Sequence, residues 1–207
     1  MLVQAFVTGP LETNTFVVAD RATAEAIVID PGGEPGEILA FLAKERLRCR
    51  QIVNTHGHFD HVSGNRALKA ATGASLLIHA EDAPMLGQAE SHARFFMVRA
   101  ENSPPADVYL ADREELRVGK VLLRVVHTPG HSPGSVTLVA PGMAFCGDLV
   151  FYGSVGRTDL PGGSEKTLLE SIRSHILTLP DDTVLHPGHG PDTTVGLERR
   201  QNPFFGR

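Results

Sequence analysis

The stretch IVNTHGHFDHVSG, residues 52–64, ends a short apolar run with His56, His58, Asp60 and His61. Side chains alternate in an extended segment, so His56 and His58 project to the same side and can bind one cation together. A helix that starts near His61 would turn Asp60 and His61 toward a second position close to the first. Neutral imidazoles and ionised carboxylates are ligands that zinc, iron and manganese accept. A polar surface loop explains any single histidine equally well, but the combined pattern favours a metal site.

The composition indicates an ordinary globular protein. Its 207 residues and 42% hydrophobic content are enough for a proper core. A net charge of −5 argues against a nucleic-acid or anionic-membrane partner, because such partners usually select a basic surface. Cys49 and Cys146 are too few for a disulfide framework, and the first residues lack the features of an export signal. We therefore expect a cytoplasmic protein whose partner is neither nucleic acid nor membrane.

Strand-like runs and helical periodicities alternate along the chain. QAFV, TFVVA and AIVID predict antiparallel strands, and residues 34–48 have the apolar spacing of an amphipathic helix. QIVNT predicts the strand that enters the histidine cluster, followed by a short helix ending at Gly73 and the strand SLLIHA. Further strands are predicted at KVLLRVVHTPG, SVTLVA and MAFCGD, then a long helix over residues 164–179 capped by Ser164, and a last strand and loop at TVLHPGHG. The mixture predicts one α/β domain over residues 1–207.

Three further candidate ligands lie at predicted strand ends beside glycines. HTPGHSPGS contains His131, FCGDLV contains Asp148, and LHPGHG contains His189. Glycine beside a ligand allows a tight turn and a close backbone approach. In this order, and from about residue 14 to residue 189, the pieces resemble the metallo-β-lactamase superfamily. The resemblance implies an α/β (α+β) fold, a four-layer αββα sandwich with the metal site at one edge of the paired sheets.

The resemblance also implies which residue binds which ion. One ion would be held by His56, His58 and His131, the other by Asp60, His61 and His189, with Asp148 bridging the two. Two divalent ions are expected, zinc first, with iron and manganese as alternatives. Lactamases that cleave penicillins have a cysteine where this chain has Asp148. We therefore do not expect a lactamase, and we interpret Cys146 as a small buried hydrophobic residue.

Residues 148–164, DLVFYGSVGRTDLPGGS, resemble the glyoxalase II and persulfide dioxygenase branch of the superfamily. In that branch a basic residue at the position of Arg157 helps to bind a carboxylate of glutathione, and a guanidinium suits bidentate carboxylate binding. A salt-bridged loop arginine is the alternative interpretation of Arg157. Only 18 residues follow His189. We therefore expect the C-terminal helical domain of full-length glyoxalase II to be absent, as in the short glyoxalase II-like hydrolases.

The resemblance implies hydrolysis of a thioester of the S-acylglutathione type by a metal-bound hydroxide. Two divalent ions lower the pKa of a shared water to near 7. Asp148 and Asp60 are the candidate catalytic residues, because they would fix that hydroxide. A thiolate leaving group with a pKa of about 8.5 departs with little help from a general acid. The expected partner is a small-molecule thioester, and the protein is expected to be a monomer or a homodimer.

Two other functions are compatible with the pattern. A persulfide dioxygenase needs one iron, held by His56, His131 and Asp148 as two histidines and one carboxylate. The GRTD sequence that begins at Gly156 fits that family at least as well as it fits glyoxalase II. A non-catalytic, metal-stabilised binding scaffold is the third hypothesis. It is disfavoured because a ligand residue is present at all seven ligand positions.

Some residues carry weaker predictions. Asp30 is predicted either to orient a ligand imidazole or to form an Asx-type turn before Pro-Gly. Residues 91–110, with Phe95, Phe96 and Met97 adjacent, would line the substrate mouth, form a dimer contact or lie in the core, and we favour the core. The remaining histidines match no ligand position and are predicted to be surface or structural residues: His79, His92, His127, His175 and His186.

Overall fold

Two six-stranded sheets form the centre of the molecule. The computed structural model describes residues 1–205, so residues 206 and 207 of the expected domain lie outside the described residues. In the first sheet the strands are β1 (Leu2–Thr8), β2 (Thr13–Asp20), β3 (Glu25–Ile29), β4 (Arg48–Val53), β5 (Ser75–His79) and β6 (Val108–Leu110), and they lie side by side in chain order. In the second they are β7 (Glu115–Val118), β8 (Val121–His127), β9 (Val136–Ala140), β10 (Met143–Gly147), β13 (Val184–Pro187) and β14 (Thr193–Thr194). Their spatial order is β14-β13-β10-β9-β8-β7.

Strand directions explain why loops gather at one edge. The first three strands are antiparallel, whereas β3 to β6 pair in parallel, so their carboxyl ends meet at the same edge. In the second sheet β10 and β13 are likewise parallel. A small hairpin of β11 (Val150–Phe151) and β12 (Ser154–Val155) follows β10 directly. The loops after β4, β10 and β13 therefore lie at positions suited to a shared site.

The sheets pack face to face and helices cover both outer faces. Phe16 of the first sheet meets Phe145 of the second with ring centroids 5.1 Å apart, within a cluster of buried side chains from both inner faces. The first sheet is covered by α1 (Gly36–Lys44), α2 (Phe59–Val62), α3 (Asn65–Thr72), a 3-10 helix (Ala83–Gln88) and α4 (Ala89–Phe95). The second is covered by α5 (Glu165–Ser171), a π-helical segment (Ile172–Ile176) and α6 (Val195–Gln201). The four-layer αββα sandwich is thereby confirmed.

Several predicted boundaries were wrong. The helix predicted over residues 34–48 ends at Lys44, because Arg46 adopts a left-handed φ of 56° and Arg48 already begins β4. The strand predicted over residues 120–130 ends at His127. The helix predicted over residues 164–179 changes from α to π at Ile172, although Ser164 does cap it by accepting a hydrogen bond from Thr167 N.

The core assignment of residues 91–110 was also wrong for the apolar triplet. Phe95 is 85% exposed and Met97 is 94% exposed, because α4 ends there and Met97 takes a left-handed φ of 59°. Phe96 is partly exposed, and its ring packs at 5.3 Å from that of Phe59. Ala93 and Leu110 are the buried apolar members of the segment. Within residues 1–205, no helix combines the length and apolarity needed to cross a membrane.

Candidate metal centre

The ligand candidates lie in loops and helix starts at one edge of the sandwich. His56 follows β4, and the chain then turns into α2, which carries Asp60 and His61. His131 lies between β8 and β9, and Asp148 comes directly after β10. His189 follows β13. The turn into α2 begins at Phe59, two residues before the predicted start, and it separates the histidine cluster into two groups as expected.

The first group contains His56, His58 and His131, all buried. The Nε2 atom of His131 lies 2.8 Å from Nδ1 of His58 and 3.3 Å from Nε2 of His56. Three imidazole nitrogens from two separate loops therefore converge on one point.

The second group contains Asp60, His61 and His189. Nε2 of His189 lies 3.1 Å from Oδ2 of Asp60 and 3.3 Å from Nε2 of His61. The Asp60 carboxylate is also 3.6 Å from Nε2 of His61. This group is as tightly assembled as the first, although its members come from α2 and from the loop after β13.

Asp148 lies between the two groups. Its Oδ1 atom is 3.4 Å from Nε2 of His61, and its Oδ2 atom is 3.6 Å from Nε2 of His131 and 3.7 Å from Nε2 of His189. Oδ1 is buried and has no hydrogen-bond partner among residues 1–205. A buried carboxylate oxygen without a donor costs free energy unless a cation compensates it.

The donor set fits divalent metal ions. Two imidazole nitrogens bound to one tetrahedral zinc at about 2.0–2.1 Å lie about 3.3–3.4 Å apart. The Nε2 atoms of His56 and His131, and those of His61 and His189, are each separated by 3.3 Å. The group of three histidines and the group of Asp60, His61 and His189, with Asp148 facing both, are suited to a dinuclear metal site.

Acceptor oxygens outside the two groups hold three of the imidazole rings in a fixed orientation. Nδ1 of His61 lies 3.0 Å from Oδ2 of Asp30, Nδ1 of His131 lies 2.8 Å from the carbonyl of Arg157, and Nδ1 of His189 lies 3.0 Å from the carbonyl of Leu11. A ring that donates from Nδ1 to such acceptors leaves the lone pair of Nε2 directed into the site. These tautomers are assigned from the network of acceptors.

Asp30 is thus an orienting residue, which was one of its two predicted roles. Its carboxylate also accepts from the backbone N–H of Thr55 at 2.7 Å and from the Thr55 hydroxyl at 2.5 Å. That hydroxyl in turn is 3.1 Å from Nδ1 of His56. Asp30 contacts a member of the second group directly and a member of the first group through Thr55.

The electrostatic environment keeps His56 and His58 neutral and Asp148 ionised, which are their metal-binding forms. Burial and the neighbouring imidazoles hold the pKa of His56 well below its ordinary value, and burial and His131 lower the pKa of His58 to about 3. Burial opposes ionisation of Asp148, but His61 and the other imidazoles outweigh it and lower the pKa of Asp148. Burial also lowers the pKa of His61, but the carboxylates of Asp148 and Asp60 outweigh it and raise that pKa, so His61 releases a proton when it binds a cation. The same negative surroundings attract a divalent cation.

The cysteine expectation agrees with the structure. Cys146 is buried, and burial raises the pKa of its thiol to about 12. A thiol that stays protonated is a poor metal ligand, because the thiolate is the binding form. Asp148 therefore provides the anionic side chain after β10.

Arg157 is next to the first ligand group through its carbonyl, but its guanidinium is not free. Its Nε and one Nη donate to the two carboxylate oxygens of Asp159, each at 2.7 Å. The guanidinium also lies 5.9 Å from the centre of the Phe96 ring. The loop ion pair that was the alternative interpretation is present, while the carbonyl of Arg157 contacts His131.

A third group of possible ligands comprises His79, Glu81 and His127. The two imidazole rings are stacked, 4.2 Å between centroids and 14° between planes. Nearly parallel stacked rings direct their lone pairs side by side rather than toward one ion. That these histidines are surface or structural residues stays a prediction, and the stacking of their rings supports it.

The fold and the donor groups define a metal-binding αββα sandwich. A family model described as the metallo-beta-lactamase superfamily matches residues 8–189, and the chain belongs to that superfamily. The resemblance inferred from the motifs is confirmed, and so is membership of a superfamily of metal-dependent hydrolases.

Relatives with named activities cover most of the chain. The chain is 36% identical to the hydroxyacylglutathione hydrolase GloC of Haemophilus influenzae, over 87% of each protein. It is 34% identical to the mitochondrial persulfide dioxygenase ETHE1 of Homo sapiens, over 92% of this chain and 70% of ETHE1. One relative is named as a hydrolase and the other as a dioxygenase, so superfamily membership alone does not identify the reaction that this protein catalyses.

Solved structures show the same fold over the whole chain. The di-iron form of TTHA1623 is 40% identical with a TM-score of 0.91, covering 98% of this chain and 100% of that one. BLEG-1, described as a B3 metallo-beta-lactamase, is 35% identical with a TM-score of 0.92 and full coverage of both chains. Metal identity and β-lactam hydrolysis therefore both belong in the tests of function.

Proposed function

We propose that this protein is a two-metal thioester hydrolase acting on S-acylglutathione-type substrates. The observation that supports it most is the completeness of the second group. Asp60, His61 and His189 lie within 3.1–3.6 Å of one another, and Asp148 faces both groups. In a two-metal hydrolase this second group would hold the second ion.

The residues of the site divide the work. Bound divalent ions supply an activated water at neutral pH and an electrophile for the thioester carbonyl. The carboxylate of Asp148 faces both groups and keeps them at a fixed separation. Asp60, whose Oδ2 atom lies 3.1 Å from Nε2 of His189, would accept a hydrogen bond from the attacking water and so orient it. The carbonyls and the Asp30 carboxylate behind the rings keep the imidazoles from rotating.

The donor set favours a leaving group that departs as an anion. Asp60 and Asp148 are both occupied by imidazoles and cations in this scheme, so neither carboxyl is available as a proton donor. A thiolate, with a pKa of about 8.5, needs little protonation as it leaves. An amide or a phosphodiester would need a general acid at that point.

Arg157 is proposed to bind a carboxylate of the glutathione part. Its side chain and that of Asp159 are 50% and 67% exposed, so the existing ion pair is screened and exchanges readily with a substrate carboxylate. The fork–fork geometry at Arg157 is then preserved, because the incoming carboxylate takes the place of the Asp159 carboxylate.

Persulfide dioxygenase activity is the second candidate. The observation that favours it is the 34% identity to ETHE1 over most of the chain. In this case one iron would be held by His56, His131 and Asp148, and the second group would have no role in turnover.

Removal of one member of the second group distinguishes the candidates. His189→Ala is suitable because the His189 side chain is 27% exposed, so its loss leaves a small internal defect. The matched control is His175→Ala, at an exposed position of the π-helical segment. Each protein is reconstituted separately with zinc, iron and manganese. Cleavage of S-lactoylglutathione, oxygen uptake with glutathione persulfide, and penicillin hydrolysis are then measured.

We expect thioester cleavage by the parent and by His175→Ala, and its loss in His189→Ala. Iron-dependent oxygen uptake without thioester cleavage in any metal form, and retained by His189→Ala, would refute the hydrolase and establish the second candidate. Penicillin hydrolysis faster than thioester cleavage would reject both candidates.

A further inference from the structure

Asp82 is a fully buried carboxylate outside both ligand groups. It lies between β5 and the 3-10 helix, and its carboxylate accepts three hydrogen bonds. The backbone N–H of Gly57 and the hydroxyl of Ser132 donate to Oδ2 at 2.9 and 2.6 Å, and the backbone N–H of Gly134 donates to Oδ1 at 2.6 Å. A buried carboxylate with this many donors is held in one position.

The positions of these donors connect Asp82 to the first ligand group. Gly57 stands between His56 and His58, and Ser132 directly follows His131. Every member of the first group is therefore one peptide unit away from a hydrogen bond to the same carboxylate. The loop after β4 and the loop after β8 are separate in sequence, and this carboxylate joins them beside the ligands, in addition to the hydrogen bond from the N–H of Val136 to the carbonyl of Thr55 at 2.8 Å.

The backbone approaches Asp82 too closely for side chains. A β-carbon on Gly57 would lie 2.8 Å from the carbonyl oxygen of Asp82, and one on Gly134 would lie 2.8 Å from its Oδ1 atom. Both positions thus require glycine for steric reasons. The two ligand loops are shaped around this carboxylate.

We propose that Asp82 is the positioning residue of the first metal position. It touches no ligand directly and sets the separation of the His56–Gly57–His58 segment from His131. Asp30 contacts His61 of the second group directly and His56 of the first group through Thr55, whereas the hydrogen bonds of Asp82 reach only the loops of the first group. The inference rests on the proposed two-metal site and is independent of the substrate.

The variant Asp82→Asn tests this role with little change in volume. Oδ2 accepts two of the hydrogen bonds, and an amide replaces one oxygen by an NH2 group that faces a donor instead. The loop after β4 and the loop after β8 then lose their common anchor. Ser132→Ala is a milder second variant, because it removes only the hydroxyl donor beside His131.

Asp20→Asn is the matched control. Asp20 also accepts two backbone N–H groups, from Ala22 at 2.9 Å and Lys120 at 2.8 Å, and so ties the β2–β3 turn to the β7–β8 turn. These turns lie at the ends of the strands opposite to those that lead into the ligand loops. Loss of this anchor should lower the melting temperature without changing metal binding.

Metal-free proteins are titrated with cobalt(II), following visible absorption, and occupancies at the two positions are read by anomalous diffraction. We expect Asp82→Asn to weaken binding at the first position by about 10- to 100-fold and to change its cobalt spectrum, as losses of supporting partners do. Ser132→Ala should shift the same constant by roughly threefold to tenfold. The second position, and both positions in Asp20→Asn, should keep the parent constants.

Equal losses of melting temperature in Asp82→Asn and Asp20→Asn, with parent-like constants and spectra in both, would overturn the inference. If Asp82→Asn does not fold, Ser132→Ala decides, and a parent-like first position in that variant also overturns it. Failure of the parent protein to bind cobalt at the first position would instead refute the two-metal site itself.

Discussion

Arg157→Ala is the substitution that tests substrate recognition most directly. The guanidinium engages Asp159 through two hydrogen bonds of 2.7 Å, which shows that the loop presents the fork in a geometry that fits a carboxylate. Truncation at the β-carbon leaves the carbonyl of Arg157 in place, so the contact with Nδ1 of His131 at 2.8 Å is retained. The metal centre should therefore be unaffected, and any loss should appear in substrate binding.

The size of the effect follows from the bonds exchanged. A charge-assisted pair with a substrate carboxylate contributes about 1.5–3 kcal/mol, which corresponds to a rise in KM of roughly 10- to 150-fold. The Asp159 carboxylate competes for the same fork. Asp159→Asn should therefore lower KM, by no more than about fivefold, since exposed ion pairs contribute little. Turnover at saturation should change less than KM in both variants.

The assay is steady-state cleavage of S-lactoylglutathione, with metal content measured for each variant. Arg117→Ala is the control, because Arg117 forms an ion pair with Glu115 at the same i, i+2 spacing and is exposed on β7. It should leave KM unchanged. A parent-like KM in Arg157→Ala, or an equal rise in Arg117→Ala, would show that the guanidinium does not bind the substrate carboxylate.

Three other predictions concern Asp148, Gly188 and Asp107. Asp148→Ala should lower occupancy of both ions, and activity by more than the roughly 100-fold typical of supporting residues, whereas retention of both ions measured by elemental analysis would contradict its bridging position. Gly188→Ala should destabilise the fold by about 1–3 kcal/mol and reduce metal content, because a β-carbon there overlaps Asp148 Oδ1 and lies 2.6 Å from Cε1 of His61; a denaturation midpoint and metal content like the parent's would refute it. The backbone N–H of Leu76 donates a hydrogen bond to Asp107 and lowers the pKa of that carboxyl. The ionised Asp107 therefore stabilises the fold above the unfolded pKa of about 3.9, and this stabilisation is lost as pH falls through the folded pKa. Asp107→Asn should therefore flatten acid unfolding measured by circular dichroism below about pH 4, and an unchanged acid limb would contradict this assignment.

The fold could be predicted from the sequence where each element has a strong local pattern. β2 is buried along its whole length, so an apolar run suffices to identify it. The boundaries failed where a single residue decides: Leu47 continues the helical apolar spacing and is buried, but the left-handed Arg46 has already ended α1. Strands as short as β6 and β7, with three and four residues, contain too little periodicity to be recognised.

The exposed triplet at the end of α4 shows a different limit. Phe95 and Met97 were assigned to the core from their apolar character, which describes transfer free energy but not position. Because α4 ends at Phe95 and Met97 has a left-handed φ, both side chains are exposed to solvent. Phe96, packed on Phe59 and beneath the guanidinium of Arg157, is the member of the triplet that borders the site.

The metal centre could be anticipated because ligand chemistry is visible in residue type and order, whereas its supports are not. His56, His58 and His131 stand out as histidines beside glycines, and their role as ligands stays a prediction that the convergence of their nitrogens supports. Asp82 carries no such mark, since an aspartate before Ala-Pro is typical of any helix start. Its importance depends on which backbone N–H groups reach it, and those belong to two loops that only the packed sheets bring together. Asp82 supports the first ligand group alone, whereas Asp30 reaches His61 directly and His56 through Thr55. Loss of the Asp82 carboxylate should therefore weaken the first ion selectively, and loss of the Asp30 carboxylate should weaken both. The order in which the two ions dissociate then depends on these supporting carboxylates as well as on the ligands.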